Sequence, residues 1–77
     1  MGKIEAFETF LEESRSAVER TVFFRISRRE DAEDVLQEVY LTAYRKFDML
    51  MDHLSFKAWI ISIARNKCVD YYRKRAA

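Results

Sequence analysis

Asn66 stands among cations in the run Ala64 to Arg75, ARNKCVDYYRKR. An asparagine side chain carries both a donor and an acceptor, the equipment for reading a base edge. Arg65, Lys67, Arg73, Lys74 and Arg75 surround it with groups that meet phosphates in salt-dependent contacts. Little other chemistry competes. His53 is the only histidine and Cys68 the only cysteine, so no metal or nucleophile cluster forms at ligand spacing. The single glycine, Gly2, excludes a glycine-rich phosphate loop. Neighbouring carboxylates such as Glu33 and Asp34 project at different helical azimuths, and no sequence feature gives them a cleft. The residues argue for a binding module, not an enzyme, and call for no cofactor.

The segment that must position Asn66 is Ser55 to Arg75, SFKAWIISIARNKCVDYYRKR. At about 100° per residue, Phe56, Trp59, Ile60, Ile63, Ala64 and Tyr71 fall on one apolar arc. Ala58, Ser62, Arg65, Asn66, Val69 and Arg73 form a stripe on the far side. Ser55 is a natural N-cap, and Leu54 is placed to staple onto Trp59 one turn inside. Cys68 reads as a small core residue. The spacing predicts an amphipathic helix rooted in a core and presenting a basic, amide-bearing face outward.

The rest of the chain supplies the support. With 77 residues, 49% of them hydrophobic, one glycine and no proline, the sequence predicts one small all-α domain. Ile4, Phe7, Leu11, Val18, Val22 and Ile26 mark a first helix, flanked by Phe10, Ala17 and Phe24, with Ser14 and Ser16 marking a kink or break. Phe23 and Phe24 are adjacent and cannot share one face. Ser27 to Glu30 has capping-box spacing, and Asp31 to Asp34 offers a second acidic start. From there to about Phe47, Ala32, Val35, Leu36, Val39, Ala43 and Phe47 form an apolar row opposite Glu33, Asp34, Gln37, Glu38 and Leu41. Leu36, Val39, Trp59, Ile60 and Ile63 are expected to be buried together. The connection Asp48 to Leu54, DMLMDHL, is apolar for a loop, and packing against the domain is the reading preferred over the wall of a binding site.

Charge divides the chain. Residues 1–54 hold eight Lys/Arg and twelve Asp/Glu, giving −4, whereas residues 55–77 hold six Lys/Arg and one Asp, giving +5. An acidic body with a basic end suggests two partner surfaces. The lone cysteine fits a reducing cytoplasm. No apolar run approaches the roughly 20 residues that span a bilayer, and the amino terminus lacks the apolar core of a secretory signal, so a cytoplasmic protein without a membrane is expected.

DAEDVLQEVYLTAYRKF (Asp31 to Phe47) followed by SFKAWIISIARNKCVDYYRKR resembles region 2 of the extracytoplasmic-function (ECF) sigma factors of bacterial RNA polymerase. The runs D-A-E-D-x-x-Q-E, F-x-A-W-I/L and I-A-R-N-x-x-x-D-x-x-R-K/R occur together, in order, and the likeness covers about residues 5 to 75. It implies a compact helical domain of three to four helices that binds core polymerase and recognises and melts the promoter −10 element. It implies that Asp34, Gln37, Glu38 and Leu41 meet the clamp helices of the largest polymerase subunit. Met51 and His53 of the connection, with Ile63 and Asn66, then take a flipped base of the non-template strand, and Arg65, Lys67, Arg73 and Lys74 take phosphates. Trp59 matches a position expected to be mainly core. An anti-sigma factor joins the partners that the resemblance brings into view. The second, region 4 domain of a complete member is absent from these 77 residues, as are the Gly or Pro often found between the first helices. Two other readings stand beside this one: a helix-turn-helix regulator of duplex DNA, and a protein-binding helical module.

Overall fold

The computed structural model describes residues 2–76 and contains three α-helices. They are α1 (Lys3–Arg25), α2 (Arg29–Lys46) and α3 (Phe56–Ala76), with short 3₁₀ turns at Phe47–Met49 and His53–Ser55. Phe7 packs on Tyr44, and Asp31 meets Tyr71, so α2 runs antiparallel to both neighbours. Phe10 meets Phe56 at one end and Arg25 meets Tyr72 at the other, so α1 and α3 run parallel.

Each helix buries one stripe. In α1 it is Phe7, Leu11, Val18 and Val22, continued by Ile26; in α2 it is Ala32, Val35, Leu36, Val39 and Ala43, continued by Phe47. In α3 it is Phe56, Ile60, Ala64 and Cys68, four residues at strict i, i+4 spacing. Small residues at Ala32, Ala43, Ala64, Cys68 and Ser14 let the backbones approach, since interaxial distance is set by the side chains at the contact. The wide end of the core is aromatic: Phe7 meets Phe47 and Phe56 edge-on at 5.5 and 5.9 Å between centroids. Such pairs contribute about 0.5–1.5 kcal/mol each beyond their burial. Burial also raises the pKa of the Cys68 thiol, partly opposed by the positive charge of Arg25, so the residue stays a neutral packing group.

The α2 row is buried at all six positions expected from sequence. Elsewhere the structure corrects the expectations. Ser14 does not break α1: it is buried on the core stripe of one continuous helix, where a small side chain lets the helix pack closely. The Ser27 capping box does not form. Arg28 is the N-cap, with no side-chain cap bond, because Ile26 is drawn into the core and the turn closes one residue later. Before α3, Asp52 rather than Ser55 does the capping, accepting from the Leu54 amide at 3.0 Å and the Ser55 hydroxyl at 3.2 Å. That turn throws Leu54 outward, 95% exposed, so no staple onto Trp59 exists. Trp59 and Ile63 are half-buried flanks of the core, because strict i, i+4 stepping centres the stripe on Ile60 and Ala64. In the connection, Leu50 packs down while Met49 and Met51 stay exposed, so it is only partly the packed loop expected. Ile4 is exposed, as are both Phe23 and Phe24.

One polar contact fixes the far end of α3. Asp31, in the first turn of α2, accepts a hydrogen bond from the Tyr71 hydroxyl at 2.5 Å. It also pairs with Arg75 at 3.6 Å and Arg28 at 3.9 Å. That hydrogen bond, with some burial, raises the Tyr71 pKa above its ordinary value, since only the neutral hydroxyl donates to the carboxylate.

Two outcomes follow from this packing. Ile60→Ala should cost about 2–5 kcal/mol in urea denaturation, whereas Leu54→Ala should change stability by less than about 0.5 kcal/mol; equal effects would contradict the burial pattern. A group whose folded pKa is raised contributes stability that is present below its unfolded pKa and lost as pH rises through the folded one. Wild-type stability should therefore fall more steeply above pH 10.0, the ordinary tyrosine value, than that of Tyr71→Phe. Parallel pH profiles for the two proteins would show that the Tyr71–Asp31 bond does not hold α3 down.

Candidate functional site

With its core stripe turned inward, α3 exposes the six residues expected on its far side: Ala58, Ser62, Arg65, Asn66, Val69 and Arg73. On α2, Glu33, Asp34, Gln37, Glu38 and Leu41 are exposed as a second face. The two faces meet along the antiparallel groove between α2 and α3, and most of the candidate residues gather there.

Three adjoining depressions run along this groove. Thr42, Lys46, Ile63, Asn66, Lys67 and Asp70 line the first, a shallow cavity of about 190 Å³. Glu38, Leu41, Thr42, Arg45 and Lys67 line the second. The third lies towards the anchored end of α3 and includes Asp31, Asp34, Glu38, Tyr71, Lys74 and Arg75. Ile63, Asn66 and Lys67 are thus brought together. Asp34, Glu38 and Lys74 share the third depression, and Leu41 stands beside Lys67 in the second. Gln37 sits on the exposed α2 face, and Arg65 and Arg73 stand on the open stripe of α3 without lining the groove.

His53 and Met51 are not brought to Asn66. His53 stacks on Phe47, 5.1 Å between centroids and nearly parallel, and meets Phe10 edge-on at 4.9 Å. It lines a separate groove on the α1 side of α3, with Phe10, Glu13, Ser14, Leu54, Phe56 and Lys57. Met51 is 94% exposed and lines none of these depressions. The 3₁₀ turns fold the connection back over Phe10 and Phe47, which carries its histidine towards α1.

Sequence reasoning missed Thr42, Lys46 and Asp70 as neighbours of Asn66. Thr42 and Lys46 share an i, i+4 edge of α2, a signal that periodicity offers only once antiparallel pairing with α3 is known. Asp70 puts a carboxylate beside the amide. Lys46 and Lys67 line the same depression, so it offers a ligand both an acceptor carboxylate and cationic donors, while Arg65 and Arg73 outside favour phosphates.

A larger groove lies on the other side, between α1 and α2, lined by residues including Phe7, Leu11, Arg15, Tyr40 and Tyr44. It holds none of the candidate residues. Burial, with the negative charge of Glu19 adding to it, raises the Tyr40 pKa. The Arg15 guanidinium lies over the Tyr40 ring, 5.6 Å from its centroid, rather than at the hydroxyl, which is buried without a hydrogen-bond partner.

The sequence profile of the Sigma-70 region 2 family matches residues 5–77. The chain is 28% identical over 71 residues to the ECF RNA polymerase sigma factor SigX of Bacillus subtilis, covering 92% of this chain and 37% of that protein. It is 29% identical over 73 residues to the ECF RNA polymerase sigma factor BldN of Streptomyces coelicolor, covering 94% and 28%. With the ECF RNA polymerase sigma factor SigM of Bacillus subtilis it shares 44% identity over 43 residues, covering 56% and 26%. The chain thus spans less than half the length of the curated relatives it matches. No solved structure gives a significant match. Helices, exposed faces and a profile match over nearly the whole length agree: the chain belongs to the Sigma-70 region 2 family.

Proposed function

We propose that this domain is the core-binding and promoter-melting part of an RNA polymerase sigma factor, acting in transcription initiation in the cytoplasm. The observation that carries the reading is the pairing of two open faces on one rigid groove. Asp34, Gln37, Glu38 and Leu41 are exposed on α2, and Asn66 lies with Ile63 in the depression beside them. The α2 face, three polar groups around one exposed leucine, suits a basic partner helix with an apolar spot, which we assign to the clamp helices of the largest polymerase subunit.

The α3 face acts on the non-template strand of the −10 element. Unstacking one base costs a few kcal/mol. A module that binds only the unpaired state shifts the opening equilibrium by its differential affinity for that state. Here the base enters beside Ile63, an apolar wall, and Asn66, a donor and acceptor. A matched edge gains hydrogen bonds and an unmatched one leaves both sides unsatisfied, which generates specificity. Arg65 and Arg73 hold the phosphates on the open stripe outside the groove. Lys67 and Lys74 add attraction at the groove rim. Melting on this account is driven by binding, and no side chain forms or breaks a covalent bond. A helix-turn-helix reading fits less well, because nine residues, 47–55, separate α2 from α3, where a turn of about three or four is expected.

Two sets of variants test this reading. Glu38→Lys should abolish capture of the domain by core polymerase while stability stays within about 0.5 kcal/mol, since the side chain is exposed; undiminished capture would refute the α2 assignment. With core polymerase present, Asn66→Ala should flatten preference among −10 variants by about 1–3 kcal/mol. Arg73→Ala should weaken all sequences alike and lower the salt slope by about 0.7. Equal weakening of every sequence by Asn66→Ala would leave no base-reading role for it.

A further inference from the structure

The exposed stripe of α3 does not stop at α3. The Tyr72 hydroxyl donates to the backbone carbonyl of Arg25 and so joins the outer edge of α3 to the last turn of α1. Arg65 lies seven residues before Tyr72, within about 20° of it on the helix, and faces the same side. Across the junction, Phe24 of α1 is 87% exposed and Tyr72 is 49% exposed. Arg20, one turn before Phe24 and about 40° from it, occupies the same outer flank of α1. Arg20, Arg65 and Arg73 are exposed, and none is ion-paired among the described residues. The Arg25 guanidinium donates to the Thr21 carbonyl at 3.1 Å, which lays it along this edge.

Phe24 has no role in the core, and the exposed groups along the same edge include the unpaired Arg20 and, across the junction, Tyr72. That combination, flat aromatic faces interleaved with cations, is the surface that binds single-stranded nucleic acid: bases stack on the rings, and guanidinium groups follow the backbone. It differs from the α2 face, whose carboxylates would repel a phosphate chain. We infer that the single strand leaving the Asn66 depression continues across Arg65 and Tyr72 onto the end of α1, where Phe24 stacks an unpaired base and Arg20 contacts a phosphate. The inference rests on the proposed function for the class of ligand, and it adds α1 to the DNA-binding surface without any base reading there. A sequence-independent extension of this kind lengthens the held strand and adds affinity without altering the preference set at Asn66.

Oligothymidines of two lengths test it, because only a longer strand reaches both α3 and the end of α1. Fluorescence polarisation of the 77-residue chain at low salt should show Phe24→Ala weakening a labelled oligonucleotide of about fourteen nucleotides roughly tenfold, as expected for one lost stack. A strand of about six nucleotides should bind unchanged. Phe24→Trp should restore the long-strand affinity, and Arg20→Ala should lower its salt slope by about 0.7. Denaturation should be unaffected by Phe24→Ala, since the ring is outside the core. Unchanged binding of the long strand, or equal weakening of both lengths, would overturn the inference and leave the Asn66 assignment standing. Loss of self-association in place of DNA affinity would assign Phe24 to contact with a second copy and overturn it equally. Failure of the wild-type chain to bind either strand would instead overturn the proposed function on which the inference rests.

Discussion

The structure depends on the burial of one narrow stripe, Phe56, Ile60, Ala64 and Cys68, between two other helices. Four residues at i, i+4 spacing leave most of the circumference of α3 uncommitted, yet they fix its rotation. Ile60 and Ala64 are fully enclosed, so turning α3 by one residue's angle would expose Ile60 and drive a polar group inward. The rotation in turn decides that Asn66 and Ile63 edge the groove with α2, while Arg65, Val69 and Arg73 face solvent. A small domain gains little net stability from its core, so strict commitment of a few apolar positions is how 77 residues support a precise functional face.

Electrostatics shapes what the packing presents. Asp31 gathers Tyr71 and Arg75 against the start of α2, which keeps the cationic end of α3 attached to the body. Asp31, Asp34, Glu38 and Asp70 make the groove acidic towards the anchored end of α3, Arg45, Lys46 and Lys67 make it cationic near Asn66, and the arginines of the outer stripe lie beyond it. A phosphate chain and a basic protein partner therefore meet opposite charge on different stretches of the same pair of helices, although the residues involved are neighbours in space.

Much of this was legible in the sequence, for physical reasons that can be named. The α2 row reads clearly because its apolar residues are large, regularly spaced and flanked by charges, and the outward stripe of α3 reads because cations and an amide mark it. The errors fall where a small or polar residue has a tertiary reason to be buried or displaced. Ser14 looked like an interruption because close helix approach cannot be seen in one helix. Trp59 was expected in the core with Ile60 and Ile63, but i, i+4 stepping centres the buried stripe on Ile60 and Ala64 and leaves Trp59 half-buried at its flank. Ser27 and Ser55 looked like caps, yet the need to bury Ile26 puts the start of α2 at Arg29, and Asp52 does the capping ahead of α3, which starts at Phe56 as the Ser55 reading implied. His53 was expected beside Asn66, but its stacking on Phe47 carries it to the α1 side, a direction no spacing rule in a seven-residue connection could supply.

The central claim is that a fixed α3 offers Asn66 to an unpaired base and not to a duplex. The most direct test is to follow the Asn66 side-chain amide by NMR during titration with the single non-template strand of a −10 element and with the same sequence as duplex. The account predicts that the Asn66 amide and the Ile63 methyl groups shift with the single strand, while the duplex moves only residues near the surface cations. Equal shifts of Asn66 with both forms, or no shift with the single strand while the cations respond, would contradict it.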